Sequence, residues 1–140
     1  MAVRKRIIHD PETGEPYLVR WSLFSWLKVH RILREDVGRD LHDHPWRFVS
    51  IVLWGWYDEE IPYAQAYPGR PISCPGPYSD ATVVRRVRWF NFKRPEGQHR
   101  IVKVSKRCWT LVVNGPHVRT WGFHTAQGFV PWFTYFEEKS

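Results

Sequence analysis

Cysteine is scarce in this 140-residue chain, which holds only Cys74 and Cys108. Neither residue lies in a C-x-x-C pattern, so the sequence excludes zinc and redox motifs built from paired cysteines. Two isolated cysteines are also too few for the disulfide framework that stabilises many small secreted domains. We therefore expect free thiols, no disulfide and a reducing, cytoplasmic location.

Long hydrophobic runs are missing as well. The first sixteen residues, MAVRKRIIHDPETGEP, mix charged residues with proline and glycine. This mixture predicts a polar N-terminal arm and excludes a signal peptide within it. No run approaches the roughly 20 apolar residues that a membrane-spanning helix needs. We expect a protein without a membrane-spanning segment and one domain over residues 1–140, because this length is typical of a single domain.

Acidic residues are outnumbered by basic ones, which gives a formal net charge of +7 at pH 7. Fifteen of the 21 basic residues are arginine, whose guanidinium binds phosphate and carboxylate groups in a bidentate manner. The composition therefore favours an anionic small-molecule ligand. The only tight basic cluster is RRVR at residues 85–88, without a recognition helix or zinc finger, so nucleic acid is not the expected partner.

Aromatic and β-branched residues are abundant, and they occur in short runs separated by glycine and proline. Such runs predict β-strands, and their number predicts an all-β sandwich or small barrel. The predicted strands cover residues 17–24, 26–33, 82–92, 99–104 and 108–115, two further strands on either side of a turn at Gly55 within residues 46–60, and at least one in the tail 119–136.

The segment IPYAQAYPGRPISCPGPYSD, residues 61–80, is rich in proline and glycine. Its composition predicts a long loop without regular secondary structure. Long loops in compact domains often act as lids or binding loops, so we expect this one to be mobile and to overhang the ligand site.

The stretch LHDHPW, residues 41–46, places two histidines one residue apart. In an extended strand, side chains at i and i+2 project from the same face, so His42 and His44 point together while Asp43 points away. Pro45 favours the extended backbone that this arrangement needs. A P-x-G turn then delivers His99 at the start of another predicted strand. Three imidazoles from two strands predict a metal site, with ordinary structural histidines as the alternative.

The order of these motifs resembles the two signature motifs of the cupin superfamily. The likeness covers residues 39–115: H-x-H, a hydrophobic strand ending at Gly55, a long connection, P-x-G-x-H and a further hydrophobic strand. It implies a cupin-type double-stranded β-helix, or jelly-roll barrel, with a divalent metal held inside by His42, His44 and His99. The sequence is also similar to uncharacterised small cupin-like proteins of bacteriophage and actinobacterial genomes, which indicates a lineage and no activity.

The chain departs from the cupin pattern in two places. Cupins usually place a glutamate four or five residues after the second histidine, and Phe48 and Val49 occupy those positions here. The second motif is one residue shorter than usual, because only Gln98 separates Gly97 from His99. A three-histidine set suits Fe, Zn, Ni or Cu, and it leaves coordination positions for water or substrate.

Three functions fit these features, and whether the protein is an enzyme stays open. The first is a metal-dependent oxygenase or isomerase acting on a small anionic metabolite; its ligand type resembles that of the thiol dioxygenases. The second is a non-enzymatic binding protein or phage accessory cupin with a structural metal. The third is a metal-free, sugar-nucleotide-epimerase-like cupin with His30 or His44 as base and Tyr57 or Tyr63 as acid. A homodimer is also left open.

Several other residues are candidates for ligand binding. Arg86 and Arg88 share one face of a predicted strand and could clamp a carboxylate or phosphate; if that face meets water, they form a charged strand edge instead. Trp46 and Trp109 could offer a stacking platform, although most of the nine tryptophans are expected in the core. His30 lies in a strand that could line the site as ligand or base. The remaining histidines, His9, His117 and His124, are expected at the surface.

Overall fold

The computed structural model describes residues 3–10, 13–35, 40–68 and 81–139. Over these ranges the chain forms twelve β-strands and two short helices. The strands are β1 (Arg4–His9), β2 (Pro16–Phe24), β3 (Leu27–Ile32), β4 (Leu41–His42), β5 (Phe48–Trp54), β6 (Tyr57–Pro62), β7 (Thr82–Val87), β8 (Phe90–Lys93), β9 (Arg100–Val104), β10 (Cys108–Asn114), β11 (Gly122–Thr125) and β12 (Gly128–Pro131). The helices are α1 (Tyr63–Ala66) and α2 (Trp132–Lys139).

The strands build two layers of antiparallel sheet. One layer is a six-stranded sheet in the order β1-β2-β3-β10-β5-β8. The other contains two three-stranded sheets, β12-β11-β4 and β7-β6-β9. A bridge between His42 and His99 joins these two sheets, since each backbone N–H donates to the other residue's carbonyl over 3.0 Å. Two of the predicted metal-binding histidines therefore lie at the junction of the second layer.

The prediction of a mostly β protein is confirmed, and its sheets are antiparallel, but the described strands do not close into the expected jelly-roll barrel. Strands β1 and β8 end the first layer, and β12 and β7 are the outer strands of the second. None of these four edges pairs with another described strand. The layers are held together by side chains instead, in a core of Ile32, Tyr57, Val87 and the free thiol Cys108.

Gly55 turns the chain from the first layer into the second. The sequence predicted a strand, a tight turn and a strand here, and β5 and β6 confirm that order. The two strands belong to different sheets, however, so they do not form a hairpin. Gly55 has φ of +79°, and a Cβ at this position would lie 2.0 Å from the carbonyl oxygen of Arg107. Only glycine fits this crossing without displacing the backbone beside it.

Three further sequence predictions are changed by the structure. The single strand expected over residues 82–92 is divided by a bend at Arg88 and Trp89, because β7 and β8 lie in different layers. The expected loop 61–80 begins with the end of β6 and the helix α1, and its residues 69–80, with Cys74, lie outside the described residues. Its mobility stays a prediction. The polar N-terminal arm contains β1, which pairs with β2.

The tail forms β11, β12 and also helix α2, which the sequence analysis did not predict. Trp132 and Tyr135 stand at i and i+3, on one face of that helix. Trp132 stacks on Trp121 and Tyr135 stacks on Phe123, with ring centroids 6.1 Å and 3.8 Å apart. These two aromatic contacts fasten the helix to β11 and the segment before it. No helix in the described parts of the chain is long and apolar enough to cross a membrane.

Candidate metal centre

The structure brings His42, His44 and His99 together. One ring nitrogen from each histidine lies within 4.8 Å of the others. Backbone bonds hold the arrangement, because the His42 and His99 strands bridge each other and the His44 N–H donates to the carbonyl of Pro95 over 2.9 Å. His44 and His99 are buried and His42 is half-buried. The i, i+2 pair and the third histidine therefore converge on one point, as a shared metal site requires.

Hydrogen bonds behind two of the rings determine which nitrogen faces that point. His44 Nδ1 lies 2.9 Å from the carbonyl oxygen of Gly97, which can only accept, so Nδ1 carries the proton. His99 Nδ1 likewise donates to Glu59 Oε1 over 2.8 Å. In the neutral rings both Nε2 atoms then present lone pairs, and these two atoms face each other at 3.2 Å. Two lone pairs that face each other at this distance repel, and a cation bound by both nitrogens would remove the repulsion.

His44 is neutral in this environment. Burial and the neighbouring His99, His42 and Lys93 hold the pKa of His44 well below its ordinary value. A neutral imidazole is the form that binds transition metals. The His44 ring also makes an edge contact with the ring of Phe48, whose centroid lies 4.7 Å away. Phe48 was noted in the sequence as a residue four positions after His44, and it packs against that ring.

Glu59 is the carboxylate of the site, and the sequence analysis missed it. It is fully buried on β6. Besides His99, it accepts hydrogen bonds from Arg85 Nε over 2.7 Å and Asn91 Nδ2 over 3.0 Å, and it contacts Lys93 Nζ at 3.2 Å. Burial raises the pKa of Glu59, but the hydrogen bond from His99 and the positive charges of Lys93 and Arg85 together hold it below its ordinary value. An ionised carboxylate behind a histidine orients the ring and increases its basicity.

A signal for Glu59 is present in the sequence. In YDEEIP the buried positions alternate as Tyr57, Glu59 and Ile61. A glutamate between two inward apolar residues must find partners inside the protein.

Asp43 points away from the histidines, as predicted, but not toward water. It is fully buried. Its Oδ1 accepts from the Gly122 N–H over 2.8 Å, and its Oδ2 lies 2.9 Å from His124 Nε2 and 3.1 Å from Arg119 Nη2. His124, which was expected at the surface, is half-buried because it contacts this carboxylate. Asp43 therefore ties the histidine-bearing strand β4 to β11.

A cavity of about 560 Å³ opens between the two layers in front of the histidines. His42, His44 and His99 line it from the second layer. Of the predicted ligand-binding residues, Trp46 and His30 line it as well. Tyr57, a candidate acid, also reaches it, whereas Tyr63 lies in α1 and does not. Burial, and the charge of Glu59, raise the pKa of Tyr57.

The other predicted ligand-binding residues, Arg86, Arg88 and Trp109, do not line this cavity. Arg86 is exposed on the edge strand β7, where its guanidinium donates to Asp58 over 2.8 and 3.2 Å. Arg88 is exposed at the bend after that strand. This placement agrees with the alternative interpretation of a charged strand edge. Trp109 lies on the outer face of the six-stranded sheet and stacks on Trp21 at 5.3 Å.

Two cations that the sequence analysis did not single out lie in the cavity wall. Arg20 Nε donates to His30 Nε2 over 3.0 Å. Lys28 is buried; its Nζ donates to Asn114 Oδ1 over 2.6 Å and lies 4.6 Å from the centre of the Trp46 ring. The signal for Lys28 was its spacing, because Lys28 and His30 share one face of strand β3.

Fold and site together define an antiparallel two-layer β protein with a candidate three-histidine metal centre. No family model and no curated protein matches the sequence. Among solved structures, the chain is similar to the DMSP lyase DddQ from Ruegeria pomeroyi DSS-3, with 14% identity and a TM-score of 0.44. The likeness covers 90% of this chain and 53% of that one, so this chain spans about half its length.

Proposed function

We propose that the protein is a cupin-type metalloprotein in which His42, His44 and His99 hold a divalent transition metal. The metal, one of Fe, Zn, Ni or Cu, would bind a small anionic molecule in the adjoining cavity. Three protein ligands leave coordination positions for such a molecule. The proposed activity is that of an oxygenase or an isomerase: iron would supply O2 chemistry, and zinc would polarise a bound oxygen atom.

One observation carries the metal proposal. His44 Nε2 and His99 Nε2 face each other at 3.2 Å, and the proton of each neutral ring is committed to an acceptor behind it. Neither ring can donate to the other in this state, so the pair lacks a hydrogen bond and is ready to share a cation. The residues therefore fit a metal by the chemistry of their donor atoms as well as by their proximity.

The residues around the proposed metal have separate roles. The three histidines place the ligand-binding position on one wall of the cavity, and Glu59 keeps His99 in the metal-binding tautomer. Phe48 packs against His44 and lines the same cavity. Trp46 and Tyr57 line the space in front, where the small molecule would lie.

Elemental analysis tests the proposal on protein purified without a histidine tag and after reconstitution with each metal. We expect about one metal ion per chain. Each single change of His42, His44 or His99 to alanine should remove most of it, whereas His9→Ala and His117→Ala should retain it.

Full occupancy in a His42→Ala, His44→Ala double variant would contradict the proposal. So would the absence of metal from every wild-type preparation, which would indicate that the two facing rings share a proton and would favour a metal-free function.

A further inference from the structure

We propose that Arg20 and Lys28 form the acid-binding subsite of the cavity. They would bind the carboxylate or phosphate group of a small organic acid whose remaining part reaches the histidine wall. The inference deepens the proposed function and rests on it for the metal end of the molecule.

The two cations stand on the layer opposite the histidines. Arg20 pairs in register with His30, which pairs on its other side with Thr110. Lys28 lies two residues before His30 and therefore projects from the same inner face. Sheets packed face to face are about 10 Å apart, so a molecule of a few carbon atoms can contact both walls.

The cavity has an excess of positive charge. Asp43 is the only carboxylate among the described residues that line it, and its oxygens already contact Gly122, Arg119 and His124. Arg20 and Lys28 line the same cavity.

The partners of both cations among the described residues are neutral. Lys28 Nζ donates to Asn114 Oδ1 and to the Ser25 carbonyl, and Arg20 Nε donates to His30. A cation removed from water without a counter-charge is costly, so an anionic ligand would relieve the imbalance.

His30 acts as a positioning residue for Arg20. Burial, Arg20 and Lys28 lower the pKa of His30 to about 3, so the ring is neutral near pH 7. Its Nε2 is then free to accept the Arg20 Nε–H, which directs the guanidinium without neutralising it. The same crowding of charge is visible at Lys28, where burial and then Arg20 lower the pKa to about 8.

Isothermal titration calorimetry with succinate and with inorganic phosphate tests this subsite. Arg20→Gln and Lys28→Gln each remove one charge but keep an N–H donor. Each should raise the dissociation constant of the better-bound anion about tenfold or more, because charge-assisted hydrogen bonds are the strong ones. The preferred anion identifies the acidic group as carboxylate or phosphate.

Arg31→Gln is the matched control. Arg31 is the next residue after His30 on the same strand, and its guanidinium lies over Trp109 on the outer face. This variant should bind as wild type does, and the neutral succinamide should not bind. Equal affinity in wild type and Arg20→Gln, an equal loss in Arg31→Gln, or no binding of either anion would overturn the inference.

Repeating the titrations on chelator-treated protein separates the two proposals. If the metal proposal fails, wild type and the Arg20 and Lys28 variants still differ in the absence of metal. If the subsite fails, metal binds as expected but the variants do not differ from wild type.

We also infer, from a different surface, that a second copy of this chain packs on the outer face of strands β10, β5 and β8. Register places Phe90 beside Ile51 and Ile51 beside Leu111, while Phe92 and Val113 flank the next position. These residues, with Leu53, form the outer patch. The alternate residues Ser50, Asn91 and Thr110 are buried on the inner face.

The outer patch is large and free of charge. Phe90 is 74% exposed, Phe92 57% and Leu53 54%. Because an aromatic side chain buries roughly 150–250 Å², the two phenylalanines alone leave roughly 250 Å² in water. With the aliphatic residues beside them the patch reaches on the order of 500 Å², and a two-fold pairing would bury about 1,000 Å², the lower limit for a specific interface.

A second copy is the occupant that this patch fits. It carries no charge that could select a charged partner, and an apolar face is complementary to itself across a two-fold axis. On the same face of the sheet, Arg31 and Lys5 lie over Trp109 and Trp21, in the half away from the patch.

Sedimentation velocity over a wide concentration range tests this interface. Wild type should sediment as a dimer and Phe92→Glu as a folded monomer with an unchanged circular dichroism spectrum. Val84→Glu is the control, since Val84 is 59% exposed on the other layer, and it should stay dimeric. A monomeric wild type, or a Phe92→Glu protein that remains dimeric, would overturn the inference.

Discussion

The two ring nitrogens of His99 face two different partners. Its Nδ1–H donates to the buried Glu59 carboxylate, and its Nε2 faces that of His44. The bond behind the ring thus determines what the front of the ring can do. At the scale of single residues, we therefore expect the metal affinity of the candidate centre to depend on Glu59 in addition to the three histidines.

Replacing Glu59 by glutamine should weaken metal binding by roughly 10–100-fold, the usual cost of losing a partner behind a ligand. The amide can still accept from His99, but it no longer supplies negative charge to the ring or to Lys93. Competition with a chelator measures the change. Glu60→Gln is the control, because the next side chain pairs with Arg100 outside the site. Wild-type affinity in Glu59→Gln would show that the carboxylate has no effect on the metal.

Replacing Asp43 by alanine should lower stability and leave metal stoichiometry intact. The change removes the acceptor for the Gly122 N–H and for Arg119 and His124, which are both partly exposed and can regain water. We expect a loss of about 2–3 kcal/mol in the free energy of unfolding. Urea denaturation measures the loss, and metal analysis of the folded variant serves as the check. Loss of metal from a folded Asp43→Ala protein would place the carboxylate in the site.

The crossing between β5 and β6 is the element on which the site's geometry rests. It leads the chain from the six-stranded sheet, which holds Arg20 and Lys28, to the layer that holds Glu59. Gly55 makes the crossing with positive φ and with the Arg107 carbonyl against its Cα. A side chain here would strain the backbone and also displace the neighbouring turn.

Gly55→Ala should therefore destabilise the protein by about 3 kcal/mol or more, the sum of a left-handed backbone penalty and a steric clash. Gly14→Ala is a matched control, since Gly14 has φ of +75° but no atom within 4 Å of the place that an added methyl group would take. It should lose only about 1 kcal/mol. The two free energies of unfolding are compared in urea. Equal losses would show that the contact with Arg107 is unimportant.

At the scale of the whole molecule, histidines buried between the two layers are neutral in the folded state. The free energy of unfolding therefore depends on pH. The pKa of His30 is lowered to about 3 by burial and by Arg20 and Lys28. In the unfolded chain a histidine takes up a proton near pH 6.5. Between these values the unfolded state binds more protons than the folded state, so stability is present above pH 6.5 and is lost as pH falls toward 3.

With a chelator present, the free energy of unfolding should fall below pH 6.5, by at most about 1.4 kcal/mol per pH unit for each such histidine. His30→Gln should make this slope shallower, because it removes one group that protonates only on unfolding. His117→Gln alters an exposed residue and should keep the wild-type slope. Urea denaturation at a series of pH values gives the slopes. An unchanged slope in His30→Gln would show that its ring protonates in the folded state.

Most strands were predictable from the sequence, because alternation of apolar and polar residues is local information. The pair His42 and His44 was predictable for the same reason, since i, i+2 spacing needs only an extended backbone. The helix α2 was missed because its stabilising contacts, Trp132 on Trp121 and Tyr135 on Phe123, join residues that local patterns treat separately. The division of residues 82–92 between two layers was missed because the local pattern of apolar and polar residues does not indicate which sheet a strand joins.

The sequence by itself determined the β character of the chain, its excess of positive charge and the three imidazoles available to a metal. Only the tertiary structure decided which charges accompany them. Glu59 lies 40 residues from His99 in the chain, and Lys28 lies 86 residues from Asn114. Such contacts depend on which strands pair and which layers face each other. That is a property of the whole packed chain, because the cost of burying each charge is met by partners that folding alone brings near.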